Sequence, residues 1–421
     1  MSFKSKLNSK EGRLAKNTIM LFLLTFSNYL FNFATIPYQT RILGAEVMGN
    51  LNFATATMTY FVLFLDFGFL LSATEDVARD RDNSHRVSEI YTCVTICKAI
   101  FVLICFIILT VLCTTVERFK ADILLFYLYL IAHSCYAFLP DFLYRGIENM
   151  QAITIRSVLI KAFSTCMIFI FLREPSQYYV VPIFTGIGNL GAVFATLLHV
   201  KKLGYSFVKT SFKEIWITFK RSLFFFYSRI ASAVFTATNT FLLGLSYGAG
   251  SSLVGLYSTA EKGVSVAKQA ISPVTDSLYP YMVKNRNFKM VKKLLLLGLP
   301  VLLVGCSVVM IFAKPLCAFV FGAEYYEAGT YLRLLAPTVF LSFPATMFGF
   351  PVLTPMGLAK YANLSTIFAA ILHISMLLLI FLITGTLSPI YMCIATCITE
   401  LFTCSFRITV VIKNRHLLKQ N

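Results

Sequence analysis

Ten ionisable residues interrupt stretches of sequence that are otherwise apolar: the cations Lys98, Lys161, Arg229, Lys262, Lys268 and Arg407, and the acids Asp66, Asp141, Glu261 and Glu400. A cation at the middle of a bilayer costs about 2.5 to 3.5 kcal/mol on insertion scales, so each needs a buried partner, a route to the headgroups or a water-filled cavity. Lys262 lies about ten residues into its stretch, about 15 Å at the helical rise, too deep for its stem to reach the interface easily. Lys98 and Lys161 are similarly deep, whereas Arg407 is expected to snorkel. Two structural pairs suggest themselves, Lys98 with Asp66 and Lys161 with Asp141. Arg229, Lys262 and Lys268 have only Glu261 close in sequence, and this cationic excess suits a polyanion such as pyrophosphate, which Arg can bind bidentately. That chemistry is recognition of a charge rather than the making of a bond. There is no Walker loop, no His-Glu-x-x-His, no Gly-x-Ser-x-Gly and no nucleotide fingerprint, and the five histidines are scattered. The sequence therefore predicts no enzyme and no cofactor.

The elements that must hold these charges are membrane helices. The chain is 57% hydrophobic and 13% charged over 421 residues, with a mean hydropathy of +0.75, against about 25% charged in a soluble domain. Several apolar runs exceed the roughly 20 residues that cross a hydrocarbon core of about 30 Å. Hydropathy and helix breakers place spans near 15–37, 46–72, 88–113, 121–144, 150–172 and 177–200, then 222–247, 252–283, 291–313, 328–354, 359–383 and 388–412. The fold class is all-α integral membrane protein, with about 12 helices in two six-helix bundles. The bundles are expected at 1–200 and 222–421, joined by a basic, aromatic linker at 201–221.

The net charge of +18 does not point to nucleic acid, because the cations are spread in short clusters between spans. They read instead as topology signals. With the N-terminus inside, the cytoplasmic segments, starting with Lys4, Lys6, Lys10, Arg13 and Lys16, hold 25 of the 37 Lys and Arg residues, and the outer loops hold six. Both termini are then cytoplasmic, and the first span is too long for a cleaved signal peptide. The eleven cysteines sit mostly within spans, where they behave as small hydrophobes, so no metal site is expected.

The two halves look like copies. Gly49-Asn-Leu-Asn-Phe-Ala54 matches Gly255-Leu-Tyr-Ser-Thr-Ala260 in glycine, alanine and spacing, and Gly146 matches Gly357 at the corresponding later turn. Six helices per copy preserve orientation, a transporter plan in which substrate binds between repeats and access alternates. Pro37, Pro140, Pro273, Pro280, Pro337, Pro344 and Pro351 lie in or near the ends of spans, where kinks either shape packing or permit motion. Most of the 41 Phe and 21 Tyr suit lipid and interface positions.

Four ordered segments resemble Wzx-type polysaccharide flippases of the multidrug/oligosaccharidyl-lipid/polysaccharide exporter superfamily: Ile36–Gly44 (IPYQTRILG), Asp66–Thr74 (DFGFLLSAT), Pro140–Met150 (PDFLYRGIENM) and Gly255–Lys262 (GLYSTAEK). The chain departs from that pattern at Phe142, where a Trp is usual, and at Arg145, where a Gln is usual. The resemblance implies two bundles facing a cationic cavity in a bacterial inner membrane. The substrate implied is an undecaprenyl-pyrophosphate-linked oligosaccharide, released to the periplasm for O-antigen or other surface polysaccharide. It makes Arg229, Lys262, Lys268, Lys98, Lys161 and Arg41 the substrate-binding candidates and Asp66, Asp141, Glu261 and Glu400 the ion-coupling candidates. Membrane lipids, a polysaccharide polymerase and a chain-length regulator are the implied partners. A polymerase or ligase would carry a long outer loop, which the sequence lacks, and a small-molecule exporter of the same superfamily would want a less cationic cavity.

Overall fold

The computed structural model describes residues 10–248 and 250–418. Lys4, Lys6 and Lys419 lie outside the described residues, as do the side chains of Lys10, Arg13, Lys16, Pro280 and Lys284. Among the described residues the chain forms helices and no strand. The first half contains α1 (Lys10–Asp66), α2 (Phe69–Arg79), α3 (Ser84–Thr115), α4 (Ile123–Ala137), α5 (Asp141–Gly146), α6 (Met150–Phe171) and α7 (Val180–Lys202). The second contains α8 (Phe212–Tyr247), α9 (Ser252–Asn285), α10 (Phe288–Phe321), α11 (Ala328–Met347), α12 (Ala359–Thr384) and α13 (Pro389–Lys413).

Local sequence explains many helix starts. Asn83, Asp122, Asn149 and Asn287 each accept a hydrogen bond from the backbone N–H three residues on, satisfying donors that a helix leaves orphaned. Nine helical runs among the described residues are long and apolar enough to cross a membrane. The first is a 57-residue run, divided at Gly44, where φ is +71° and the helix cannot continue. Helices α8 and α9 are 36 and 34 residues long; α9 does not reach that apolarity because it carries Glu261, Lys262 and Lys268, whereas residues 230–247 of α8 are an uncharged apolar stretch. With the division at Gly44 and these two helices, the long segments among the described residues number twelve, as expected. Large apolar side chains face outward along their length, among them Val301 at 71% exposure and Ile383 at 74%. A soluble protein does not expose such a surface, and the chain is a multi-pass all-α membrane protein.

The chain divides into two compact units, Met1–Leu43 with Phe53–Ala233, and Gly44–Asn52 with Val234–Asn421. The division falls inside α8. Within residues 201–221, helix resumes at Phe212. In the first unit α4 and α6 pack on α7, and α2 packs on α5. Its core gathers Phe69, Tyr91, Phe142 and Tyr144 around Phe67. Phe67 stacks on Phe219 at 5.0 Å and on Phe226 at 4.4 Å, which fixes the first turns of α8 to this unit.

In the second unit α11 packs on α9, α10 and α13, and α12 packs on α13. Residues 44–52 cross the start of α9 so closely that a Cβ on Gly255 would sit 1.8 Å from the Ala45 carbonyl oxygen, and one on Gly49 would sit 2.6 Å from that of Ser251. Only two glycines permit such an approach, the small-residue contact by which membrane helices pack without a hydrophobic driving force. The Ala45 N–H donates to the Glu324 carboxylate at 3.0 Å, and the Tyr325 hydroxyl donates to the Gly44 carbonyl at 3.0 Å. The first donor freed by the break at Gly44 is thereby satisfied.

Candidate functional site

Each unit buries its own polar cluster. In the first, α1, α3, α4, α5 and α8 surround a cavity of about 150 Å³ whose lining includes Asp66, Lys98, His133, Tyr136, Asp141 and Arg229. Arg229 forms an ion pair with Asp66, and Arg156, from α6, forms one with Asp141. Lys98 is buried, donates to the Ala137 carbonyl at 2.6 Å and stands 5.7 Å from the Phe142 ring centre. The carbonyl is available because α4 ends at Ala137, where it would otherwise be an orphan acceptor. Three cations therefore face two carboxylates, and the one without a carboxylate partner is Lys98.

The expected pairs are thus differently assigned. Asp66 takes Arg229 instead of Lys98, and Asp141 takes Arg156 instead of Lys161. Lys161 is half-buried and meets no acceptor among the described residues. Arg41 is exposed, three residues before the Gly44 break.

In the second unit the three charged residues Glu261, Lys262 and Lys268 of α9 take different partners. Lys262 donates to the Asn52 side-chain oxygen, while the Asn52 amide donates to Ser258 at 2.6 Å. Lys268 forms an ion pair with Glu400 of α13. Glu261 accepts from the Thr240 hydroxyl at 2.8 Å and the Tyr257 hydroxyl at 3.2 Å. Tyr257 in turn accepts from the Asn239 amide at 2.9 Å. His373 lies 2.9 Å from the Asn239 side-chain oxygen and 3.1 Å from Thr399. A continuous hydrogen-bonded chain therefore links Glu261 on α9 through α8 to α12 and α13.

Arg407 does not snorkel. Its guanidinium donates inward to Ser365 and the Ala345 carbonyl, both at 2.8 Å, and to Thr366 at 3.2 Å, because α11 and α12 offer neutral acceptors at its level. Arg156, Asn52, Asn239 and His373 were not anticipated as site residues. The Asn52–Ser258 contact had a signal in the sequence, since its members are 206 positions apart, the offset at which the two glycine motifs match. A lone His in an apolar span gave none.

A sequence profile described as polysaccharide biosynthesis protein matches residues 14–286, which include all four motifs read above. This chain belongs to that family. A Shigella dysenteriae protein named "Putative O-antigen transporter" is 27% identical over 370 residues, covering 86% of this chain and 91% of its own. A protein of the same name from Escherichia coli strain K12 is 26% identical over 419 residues, covering 98% and 100%. Among solved structures, the lipid II flippase MurJ in an inward closed conformation superposes with a TM-score of 0.75 at 13% identity, covering 95% of this chain and 89% of that one. An inward-facing multidrug resistance MATE family transporter of the MOP superfamily gives 0.69 at 14% identity, with 92% and 95% covered. At such identities the structures establish the fold alone. The resemblance carried by the four motifs holds.

Proposed function

We propose that this protein is a flippase that carries an undecaprenyl-pyrophosphate-linked oligosaccharide from the cytoplasmic to the periplasmic leaflet by alternating access, changing no bond. It serves O-antigen or other surface polysaccharide synthesis in a bacterial inner membrane, with both termini cytoplasmic and a polymerase and chain-length regulator as partners. Family membership and the names of two relatives support the substrate class, and the shared fold supports transport.

The observation that carries the reading is the state of Lys262. It is half-buried and its hydrogen bond goes to a neutral amide, so an incoming diphosphate oxygen displaces an amide rather than breaking an ion pair. Lys98 is in the same condition with a carbonyl. At Arg229 and Lys268 an anion must compete with Asp66 and Glu400, which ranks Lys262 and Lys98 ahead of Arg229 and Lys268; Lys161 and Arg41 stay in the candidate set. The acids divide by the same reasoning. Asp66, Asp141 and Glu400 each hold a cation, whereas Glu261 is held by hydroxyls and is the acid best placed to take up a coupling ion and shift the balance of conformers.

The test is accumulation of cytoplasm-facing lipid-linked oligosaccharide in a deletion strain complemented with wild type, Lys262→Ala, Lys98→Ala or Arg229→Ala, with membrane levels of each variant measured. Trapped substrate on deletion, not cleared by normally expressed Lys262→Ala, is the expected result. No trapped substrate, or chains already on the periplasmic face, overturns the reading.

A further inference from the structure

A second feature of the first unit shares no lining residue with its charged cavity and meets it only through the Arg156–Asp141 pair. Helices α6 and α7 leave between them a groove of about 420 Å³, lined by Ile155, Leu159 and Ile160 on one side and Gly191, Ala195 and Thr196 on the other. Its flanks are turned outward, with Leu159 63% exposed, Phe194 62% and Leu198 66%. In a membrane protein that face meets lipid. The groove is long as well as apolar: from His199 to Gly191, both among its lining residues, α7 advances about 12 Å.

One end of the groove is polar. Arg156, Tyr144 and His199 border it there, and the Tyr144 hydroxyl lies 2.8 Å from His199 Nδ1. The Arg156 side chain is only 9% exposed. One of its nitrogens, Nη2, is engaged by Asp141. Its Nε and Nη1 are buried and find no acceptor among the described residues, and neither does Nε of Arg145 on the neighbouring α5. Buried guanidinium donors without acceptors are uncommon and costly, and an oxyanion would satisfy them with charge-assisted hydrogen bonds. The position suits a headgroup, since Arg156 is six residues from the start of α6, about 9 Å along the axis, and His199 is near the end of α7.

We propose that this groove is a binding site for an anionic phospholipid, its phosphate on Arg156 and one acyl chain lying along Leu159, Gly191 and Ala195. The occupant is a phospholipid rather than the pyrophosphate-linked carrier, because the charge of Arg156 is already shared with Asp141 and its two spare donors suffice for one phosphate group, not two. Binding here is independent of whether the protein flips a substrate.

The site is read by bromolipid quenching. Leu159→Trp is introduced into full-length protein carrying Trp216→Phe, which removes the only native tryptophan, and the protein is reconstituted in phosphatidylcholine vesicles. Brominated phosphatidylglycerol is expected to quench the groove tryptophan at a mole fraction about tenfold below that of brominated phosphatidylcholine, the scale of one charge-assisted contact. Arg156→Gln should erase that preference. Gly191→Leu should erase it too, and it leaves the Arg156–Asp141 pair intact, since nothing lies within 4 Å of a Cβ at Gly191. Equal quenching by the two lipids in the parent protein, or a preference that survives both substitutions, overturns the proposal. Displacement of the brominated phosphatidylglycerol by an equimolar amount of undecaprenyl pyrophosphate would overturn it as well, by assigning the groove to the carrier.

Discussion

Lys262 and Arg229 carry the same charge on neighbouring helices, yet their surroundings predict opposite results when that charge is removed. Lys262 rests on an amide oxygen, so Lys262→Met leaves no stranded charge and relieves the cost of a cation held at depth. Its melting temperature in detergent is expected to equal or exceed that of wild type, while clearance of lipid-linked oligosaccharide falls about tenfold or more for the loss of a transported anion's partner. Arg229→Met instead leaves Asp66 unpaired. With the two side chains 35% and 23% exposed, the loss should be about 2 kcal/mol, below the 3 to 5 typical of a fully buried pair. The double variant Arg229→Met with Asp66→Leu should regain most of it, and thermal melts of the four proteins in one cycle measure the coupling. The sequence revealed that these charges were buried but not whom they faced. Asp66 and Arg229 are 163 positions apart, and helical periodicity gives each helix a face without giving its rotation against eleven others. Arg156 escaped notice because α6 begins six residues before it, so a buried cation looked like a loop cation.

Between residues and elements the glycines are the link. Gly49 and Gly255 read in the sequence as matching points of a duplicated half, and in the structure those matching points touch. So do Asn52 and Ser258, three residues beyond each. Sequence similarity cannot report such a contact because a repeat says that two segments are alike, not that they meet. The contact predicts a sharp contrast between two single methyl groups. Gly255→Ala places a carbon 1.8 Å from the Ala45 carbonyl oxygen and must separate residues 44–52 from α9, costing about 1 to 3 kcal/mol as overpacking does. Gly191→Ala meets nothing within 4 Å and should be neutral or stabilising by a few tenths of a kcal/mol through helix propensity. Melting temperatures of the two variants in the same detergent test this, and equal values would refute the close crossing.

At the scale of the whole molecule the question is how many times the chain crosses the bilayer. Apolarity alone finds nine membrane-length runs among the described residues. It counts α1 with α2 once and omits α8 and α9, the helices that carry Arg229, Lys262 and Lys268. Glu261, Lys262 and Lys268 lower the apolarity of α9, while α8 keeps an uncharged apolar stretch at residues 230–247. The distribution of Lys and Arg in the sequence bears on the count independently. If α8 crosses, Lys202 and Ser251 lie on opposite faces; if it does not, they lie on the same face. The same test applies to the break at Gly44, which puts Glu46 opposite the Asp80–Asn83 turn only if α1 crosses twice. We expect a membrane-impermeant maleimide added to spheroplasts to label Glu46→Cys and Ser251→Cys, and to label Lys202→Cys and Lys289→Cys only after the membrane is permeabilised, with the wild-type chain reporting background from Cys166, the exposed native cysteine. Labelling of Ser251→Cys and Lys202→Cys in the same fraction would remove α8 and α9 from the membrane. It would also leave Lys262 without the depth on which the proposed substrate contact depends.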